Sequence, residues 1–253
     1  MIASAAAPQH VTDDALLGGR VKFLQPAAGY RVAIDPVLLA AAVPAMATDS
    51  VLDLGCGVGA AALCLAVRVP GCRVIGIEAQ RELVRLAGEN AARNGVADRV
   101  AIMAGDIRNP PPRLEPGSFA HVMANPPYME ADVASPSPLP AKATATVEGA
   151  ADLAIWVRFA LVMVRPRGSV TFIHRADRLE HLLAQFAGRA GGIVVLPLWP
   201  GAGKSAKRVI VQARKDVATP TRLLPGLVLH EADGRFTAAA DAVLRDAKAI
   251  EFG

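Results

Sequence analysis

The stretch Val51-Leu52-Asp53-Leu54-Gly55-Cys56-Gly57-Val58-Gly59-Ala60 decides the fold. Its first half is a short β-favouring run, its second half a glycine turn, and AALCLAVR (61–68) continues it at helical spacing. A strand that passes through glycines into a helix is the opening unit of an α/β sheet. Glycine takes the positive φ that so tight a turn needs, and it leaves bare backbone for a ligand. The loop alone does not name that ligand, since Gly55, Gly57 and Ala60 also satisfy the G-x-G-x-x-G/A fingerprint of dinucleotide binding.

Downstream the same alternation repeats. CRVIGIE (72–78), RVAIMAG (99–105) and SFAHVMA (118–124) read as strands, and so do GSVTFIH (168–174), GIVVLPL (192–198) and RVIVQAR (208–214). Between them QRELVRLAGENAARNG (80–95), DLAIWVRFALVMV (152–164) and DRLEHLLAQFAGR (177–189) carry helical periodicity. In the first of these Leu83, Leu86, Ala87 and Ala91 share a face, Asn94-Gly95 marks the end, and Pro166 lies beyond the end of the second. With SVLDL (50–54) this makes seven strands in an open, mostly parallel sheet with helices on both faces. Upstream, DDALLGGRVKFLQP (13–26) predicts a hairpin turning at Gly18-Gly19, and DPVLLAAAVPA (35–45) a short apolar helix begun at Asp35-Pro36. These divide the chain into an N-terminal extension, 1–46, and a main domain, 47–253. GLVLHE (226–231), a turn at Asp233-Gly234 and a last helix over 238–249 complete the reading, and MEADVASPSPLPAKATAT (129–146) is a long polar loop.

Composition excludes several classes. A chain of 253 residues that is 53% hydrophobic can bury a large core, so disorder is not expected. Mean hydropathy is +0.34, yet no apolar run reaches the roughly 20 residues of a membrane helix. MIASAAAPQH lacks the basic start and apolar stretch of a secretory signal. Cys56, Cys64 and Cys72 are odd in number and fit no zinc spacing, which suggests buried thiols in a reducing cytoplasm and no metal site. The net charge of +4 is compatible with an anionic partner, but arginines supply most of it and are spread along the chain.

Three acids narrow the ligand. Asp53 stands two residues before the first glycine, where a carboxylate would repel a pyrophosphate but meet an ammonium, directly or through water. Glu78 ends the second strand, where an acid accepts the hydroxyls of a ribose; this fits a nicotinamide dinucleotide equally well. Asp106, in MAGDI (103–107), can accept from an adenine amine with Ile107 against the ring. Each also has an ordinary structural use, as a helix or turn acceptor for Asp53, a strand-end charge for Glu78 and a turn former for Asp106. Together they describe a ligand with an amino acid, a ribose and an adenine, which is S-adenosylmethionine. Cys56, inside the loop, reads as a small filler and not a nucleophile, because no histidine in the motifs would activate it.

DLGCGVG (53–59), Ile77-Glu78, GDI (105–107) and Asn125-Pro126-Pro127-Tyr128 together resemble the class I methyltransferases that act on planar amino nitrogens. Within that group the chain is similar to the tRNA(Val) (adenine-N6)-methyltransferases, through FLQPAAGYRVAIDPVLLA (23–40) and RPRGSVTFIHRADRLEHLL (165–183). The resemblance implies a Rossmann-like seven-stranded sheet with an antiparallel last strand, S-adenosylmethionine bound by Asp53, Gly55, Cys56, Gly57, Gly59, Glu78, Asp106, Ile107 and Asn125, and tRNA as substrate. Such chemistry explains the strand-end motif. An aromatic amine delocalises its lone pair into the ring and attacks poorly. Acceptance of its two N–H bonds by the Asn125 side-chain oxygen and the Pro126 carbonyl draws the nitrogen toward a tetrahedral state. Pro126 and Pro127 restrict the backbone so that the acceptors are preorganised, and Tyr128 stacks on the base.

Two other readings stay open: methylation of a protein glutamine amide, whose nitrogen is equally planar, and a noncatalytic or nicotinamide-binding domain. The first is disfavoured because glutamine methyltransferases usually carry a helical N-terminal domain. Tyr30, Arg31 and Asp35 are candidates for covering the cofactor, with Asp35 also suited to capping its helix. Lys204, Lys207, Arg208, Arg214 and Lys215 read either as an RNA contact or, more simply, as a solvated edge strand with lysine gatekeepers, and His174 as structural.

Overall fold

The computed structural model describes residues 10–29, 31–127 and 150–252. A hairpin comes first, β1 (Val11–Leu16) paired antiparallel with β2 (Val21–Pro26) across a tight turn at Leu17–Gly19, followed by the helix Asp35–Ala42. The main sheet contains β3 (Ser50–Leu54), β4 (Arg73–Glu78), β5 (Val100–Ala104), β6 (Phe119–Ala124), β7 (Val164–Arg175), β8 (Ala190–Trp199) and β9 (Arg208–Lys215). Their spatial order is β5-β4-β3-β6-β7-β9-β8, all parallel except β9, which runs antiparallel to both its neighbours. The expected seven strands and the reversed last one are therefore present. Two short additions, β10 (Arg222–Leu223) and β11 (Leu227–Val228), pair parallel with β8 and make the sheet nine-stranded. The strand expected over 226–231 is thus only two residues long, because His230 leaves it to bridge Phe236.

Alternation along β3 sets up everything that follows. Val51 joins the core on the face covered by the helices Asp35–Ala42, Ala60–Arg68 and Arg81–Arg93; Leu52 and Leu54 join the core on the other face, under Ala150–Met163 and Leu179–Phe186. Successive side chains of a strand point to opposite faces, so Asp53 shares the face of Val51 and lies beneath the start of the helix Ala60–Arg68. Val21 and Phe23 of the hairpin are fully buried in the first of these cores. Two asparagines hold the hairpin there. Asn90 accepts from Leu24 N at 2.7 Å and donates to Leu24 O at 2.9 Å, and Asn94, one helical turn later, accepts from Lys22 N at 3.0 Å and donates to Lys22 O at 2.6 Å. The two amides thus pair with the free edge of β2 as a neighbouring strand would.

Three expectations need correction. β7 begins at Val164, directly after the helix, so Pro166 lies inside the strand; the β6 pairing shifts register between Phe119 and His121, which leaves Pro166 outside the ladder. β9 is an interior strand: Val209–Ala213 are buried between β7 and β8, and its charges sit at the two ends. Asp35 is the first helical residue and not the cap; its carboxylate instead accepts from Arg208 at 3.1 Å. Among the described residues no helix is long and apolar enough to cross a membrane, and no group of three or more side chains is arranged to hold a metal.

Candidate active site

The pairing register brings the sequence candidates to one end of the sheet. Leu54 pairs with Ile77 and Ala124, and Glu78 with Ala104, so Gly55, Glu78, Gly105 and Asn125 stand side by side at the carboxyl ends of four adjacent strands. Strands lie about 4.8 Å apart, and in an open α/β sheet this edge is where ligands bind.

Gly55, Gly57 and Gly59 all have positive φ, at 61°, 56° and 86°. Gly55 is doubly constrained, because a Cβ there would come within 2.4 Å of the Trp156 ring. Over Gly57, by contrast, a Cβ would meet nothing within 4 Å, so the backbone is open to a ligand. Glu78 braces the loop from β4: one oxygen accepts from Gly57 N at 3.0 Å, the other from Gln80 N at 2.9 Å. Asn90 adds a donation to Val58 O at 3.0 Å, joining the hairpin's anchor to the same loop.

Asp53 is buried, at 2% exposure. One use proposed for it is present, since its carboxylate accepts from the N–H of Ala62 at the start of the following helix. Its Oδ2 has no partner among the described residues. Burial, reinforced by the charge of Glu78, pushes its pKa from 3.8 up to about 8 against the Ala62 N–H, which lowers it. Asn125 is half-buried and its Oδ1, also buried, likewise has no partner among the described residues. Pro126 is buried and Pro127 half-buried behind it. The two orphaned oxygens, one on each side of the Gly55 turn, and the bare backbone at Gly57 fit a ligand that carries a cationic amino acid and presents donors to the edge.

The remaining candidates fall as follows. Asp106 is exposed and forms a local turn, its Oδ1 accepting from Arg108 N at 2.8 Å, while Ile107 is half-buried against the core on the second face of the sheet. Burial, with Asp53 and Glu78 nearby, pushes the Cys56 thiol well above its usual range, which suits a filler under Gly76 and not a nucleophile. Cys64 and Cys72 are likewise buried and free. Arg31 is tied to Asp14 at 2.9 Å and Asp35 to Arg208, so both are engaged in ion pairs within the protein. Tyr30 and Tyr128 lie outside the described residues. The sequence reading missed Trp156, which no local pattern signals because its partner is 101 positions away. It also missed Asn90, whose signal was a polar residue within the apolar stripe of its helix.

Residues 31–143 match the family model described as "Methyltransferase small domain". A tRNA1(Val) (adenine(37)-N6)-methyltransferase of Aeromonas hydrophila is 28% identical over 212 residues, covering 82% of this chain and 85% of that one. A release factor glutamine methyltransferase of Caulobacter vibrioides is 36% identical over 110 residues, covering 44% of this chain and 36% of that one. A crystal structure of an Agrobacterium tumefaciens protein described as a predicted O-methyltransferase superposes with a TM-score of 0.71 at 24% identity, over 86% of this chain and 98% of that one. Other solved methyltransferases of this fold hold S-adenosylmethionine or S-adenosylhomocysteine. With the glycine turn and the reversed strand, these likenesses support a Rossmann-like methyltransferase that uses S-adenosylmethionine.

Proposed function

We propose that the enzyme methylates the exocyclic N6 amino group of an adenine in tRNA. The observation that carries this reading is the orphaned Oδ1 of Asn125 at the end of β6, fixed by two prolines and one strand from the glycine loop. S-adenosylmethionine supplies a methyl group on a sulfonium, and Asp53, the backbone at Gly55 and Gly57, Glu78, Asp106 and Ile107 are the residues that would hold it. Asn125 Oδ1 and the Pro126 carbonyl accept the two N–H bonds of the target amine. Loss of conjugation with the ring then leaves a lone pair on nitrogen to attack. Both acceptors are rigid before the substrate arrives, so little reorganisation is needed as positive charge develops. The nitrogen becomes cationic on methylation and its proton leaves without a strong base. Tyr128 follows in sequence and is assigned the stacking role.

The likeness to the tRNA enzymes runs over most of this chain and most of theirs, which favours RNA over a protein amide. Glutamine methylation is the second reading, because the same acceptors suit an amide nitrogen and the release factor enzyme is similar over the glycine-loop region. Incubation with methyl-labelled S-adenosylmethionine and either total tRNA or a protein extract decides between them. Label in N6-methyladenosine is expected; label in glutamine with none in RNA overturns the proposal. Asn125→Ala should lower kcat by on the order of 100-fold, as loss of one transition-state hydrogen-bonding group does elsewhere. Its cofactor Kd should stay near that of the wild type, and wild-type turnover would refute the role.

A further inference from the structure

The carboxyl edge of the sheet changes charge on either side of Asn125. Toward β5 it carries Asp53, Glu78 and Asp106. Toward β8 it carries Arg175 at the end of β7, paired with Asp177, and Arg208, paired with Asp35, with the net positive charge supplied by Lys204 and Lys207 on the connection before β9. Reversal of β9 produces this arrangement: its amino end, not its carboxyl end, meets the site, so the short connection from Trp199 to Arg208 closes beside Asn125. The same reversal sends Arg214 and Lys215 to the opposite edge. There Arg214 donates to Arg167 O at 3.0 Å and Lys215 to Val164 O at 3.0 Å, so both serve the fold.

Lys204 and Lys207 differ. Both are exposed, and among the described residues neither ammonium has an ion pair or a hydrogen bond. Their backbone is held firmly all the same. Ala176 N donates to Lys207 O at 3.1 Å and Lys204 N to Gly201 O at 3.2 Å. Pro200 O lies 3.0 Å from the ring of His230, which stacks on Phe236. The loop therefore presents two cations from a fixed frame, two interstrand steps (about 10 Å) across the sheet from Asn125 and, for Lys207, three residues beyond its level along the strands.

We propose that Lys204 and Lys207 contact backbone phosphates of the RNA next to the adenine presented to Asn125. This rests on the reading of RNA as substrate. A lysine is a point charge that meets phosphate without demanding a set geometry, and such contacts orient a nucleic acid without reading its sequence. An adenine fully engaged at the strand end must leave its neighbours' phosphates beside the site, and the basic half of the edge is where they meet positive charge.

The test is Lys204→Gln/Lys207→Gln in the full chain, assayed with tRNA between 50 and 200 mM salt. KM for tRNA should rise about tenfold and the slope of log KM against log salt should flatten by about 1.4, from 0.7 for each single-strand phosphate. The kcat, the S-adenosylmethionine Kd and the melting temperature should hold, and Lys204→Arg/Lys207→Arg should restore the slope. Arg73→Gln, an exposed cation at the opposite edge, should leave it unchanged. A wild type that methylates tRNA, with a double variant of unaltered KM and slope, overturns the lysine assignment alone. A wild type that methylates no tRNA overturns the substrate reading as well.

Discussion

If Asp53 meets the ligand's ammonium as proposed, it should make the affinity and the stability of this enzyme depend on pH in opposite senses. Its folded pKa is about 8 against 3.8 in an unperturbed carboxyl, with burial the main cause. Between those values the unfolded chain releases the proton while the folded chain keeps it. Stability therefore falls as pH rises from about 4 to about 8, and at pH 7 the shift costs roughly 4 kcal/mol. From pH 6 to pH 8 the loss is about 2 kcal/mol, or a drop of roughly 4–8 °C in Tm for a domain of this size. A bound cation reverses the balance, because it favours the ionised carboxylate and drives the proton off. Affinity for S-adenosylmethionine should accordingly strengthen with pH, by up to about tenfold per unit below 8.

Asp53→Asn isolates the effect. The variant is nearly isosteric with the protonated acid, keeps an acceptor for Ala62 N–H and cannot ionise in the unfolded chain, so at pH 6 it should already be the more stable of the two by roughly 3 kcal/mol. At pH 8 it should be more stable by a wider margin and bind the cofactor more weakly. Melting curves without ligand and calorimetric titrations at pH 6, 7 and 8 measure both. The ligand's own amino group titrates at about 7.7–8.0, which is common to both proteins and cancels in their difference. A wild type and variant with the same pH profile in Tm and in Kd would refute the assignment of a buried, protonated Asp53 facing the cofactor.

Two further changes probe the frame around the site. Gly55→Ala sets a Cβ at a φ of 61° and within 2.4 Å of Trp156, and should destabilise the protein by about 2–3 kcal/mol in urea unfolding. Asn90→Ala leaves Leu24 N and two carbonyls without partners, and should cost about 2–4 kcal/mol and speed hydrogen exchange at Leu24 while the strands of the main sheet keep their protection.

The strands and helices of the main sheet were legible because the spacing of apolar residues switches between two clear periods, and the candidate acids because each stands at a strand end. What escaped was decided by partners distant in sequence. β10 and β11 pair through only two residues each, too few to carry a pattern. Arg208–Lys215 looked like an edge strand because Arg208, Arg214 and Lys215 flank a run that pairing then buries on both sides. The strand read from Gly168 begins at Val164, because the irregular pairing with β6 lets Pro166 lie within it. Asp35 before Pro36 read as a cap, until a strand 173 positions later brought Arg208 to its carboxylate.

Parallel strands and the one reversed strand build different halves of the edge. On the cofactor side β3 and β4 deliver their carboxyl ends and the chain then departs along a helix, so Asp53 and Glu78 answer to helix starts and to the glycine loop. On the other side β8 and β9 form an antiparallel pair, and their connection answers to β11 and to the turn that stacks His230 on Phe236. Asp53 and Lys207 are separated by three interstrand steps, about 14 Å across the sheet, and by five further residues along it. Free energies at such separation usually add within about 0.5 kcal/mol. Asp53→Asn combined with Lys204→Gln/Lys207→Gln should therefore show the cofactor Kd of the first and the tRNA KM of the second. A larger coupling would mean that the two halves communicate through Asn125, which stands between them at the end of β6.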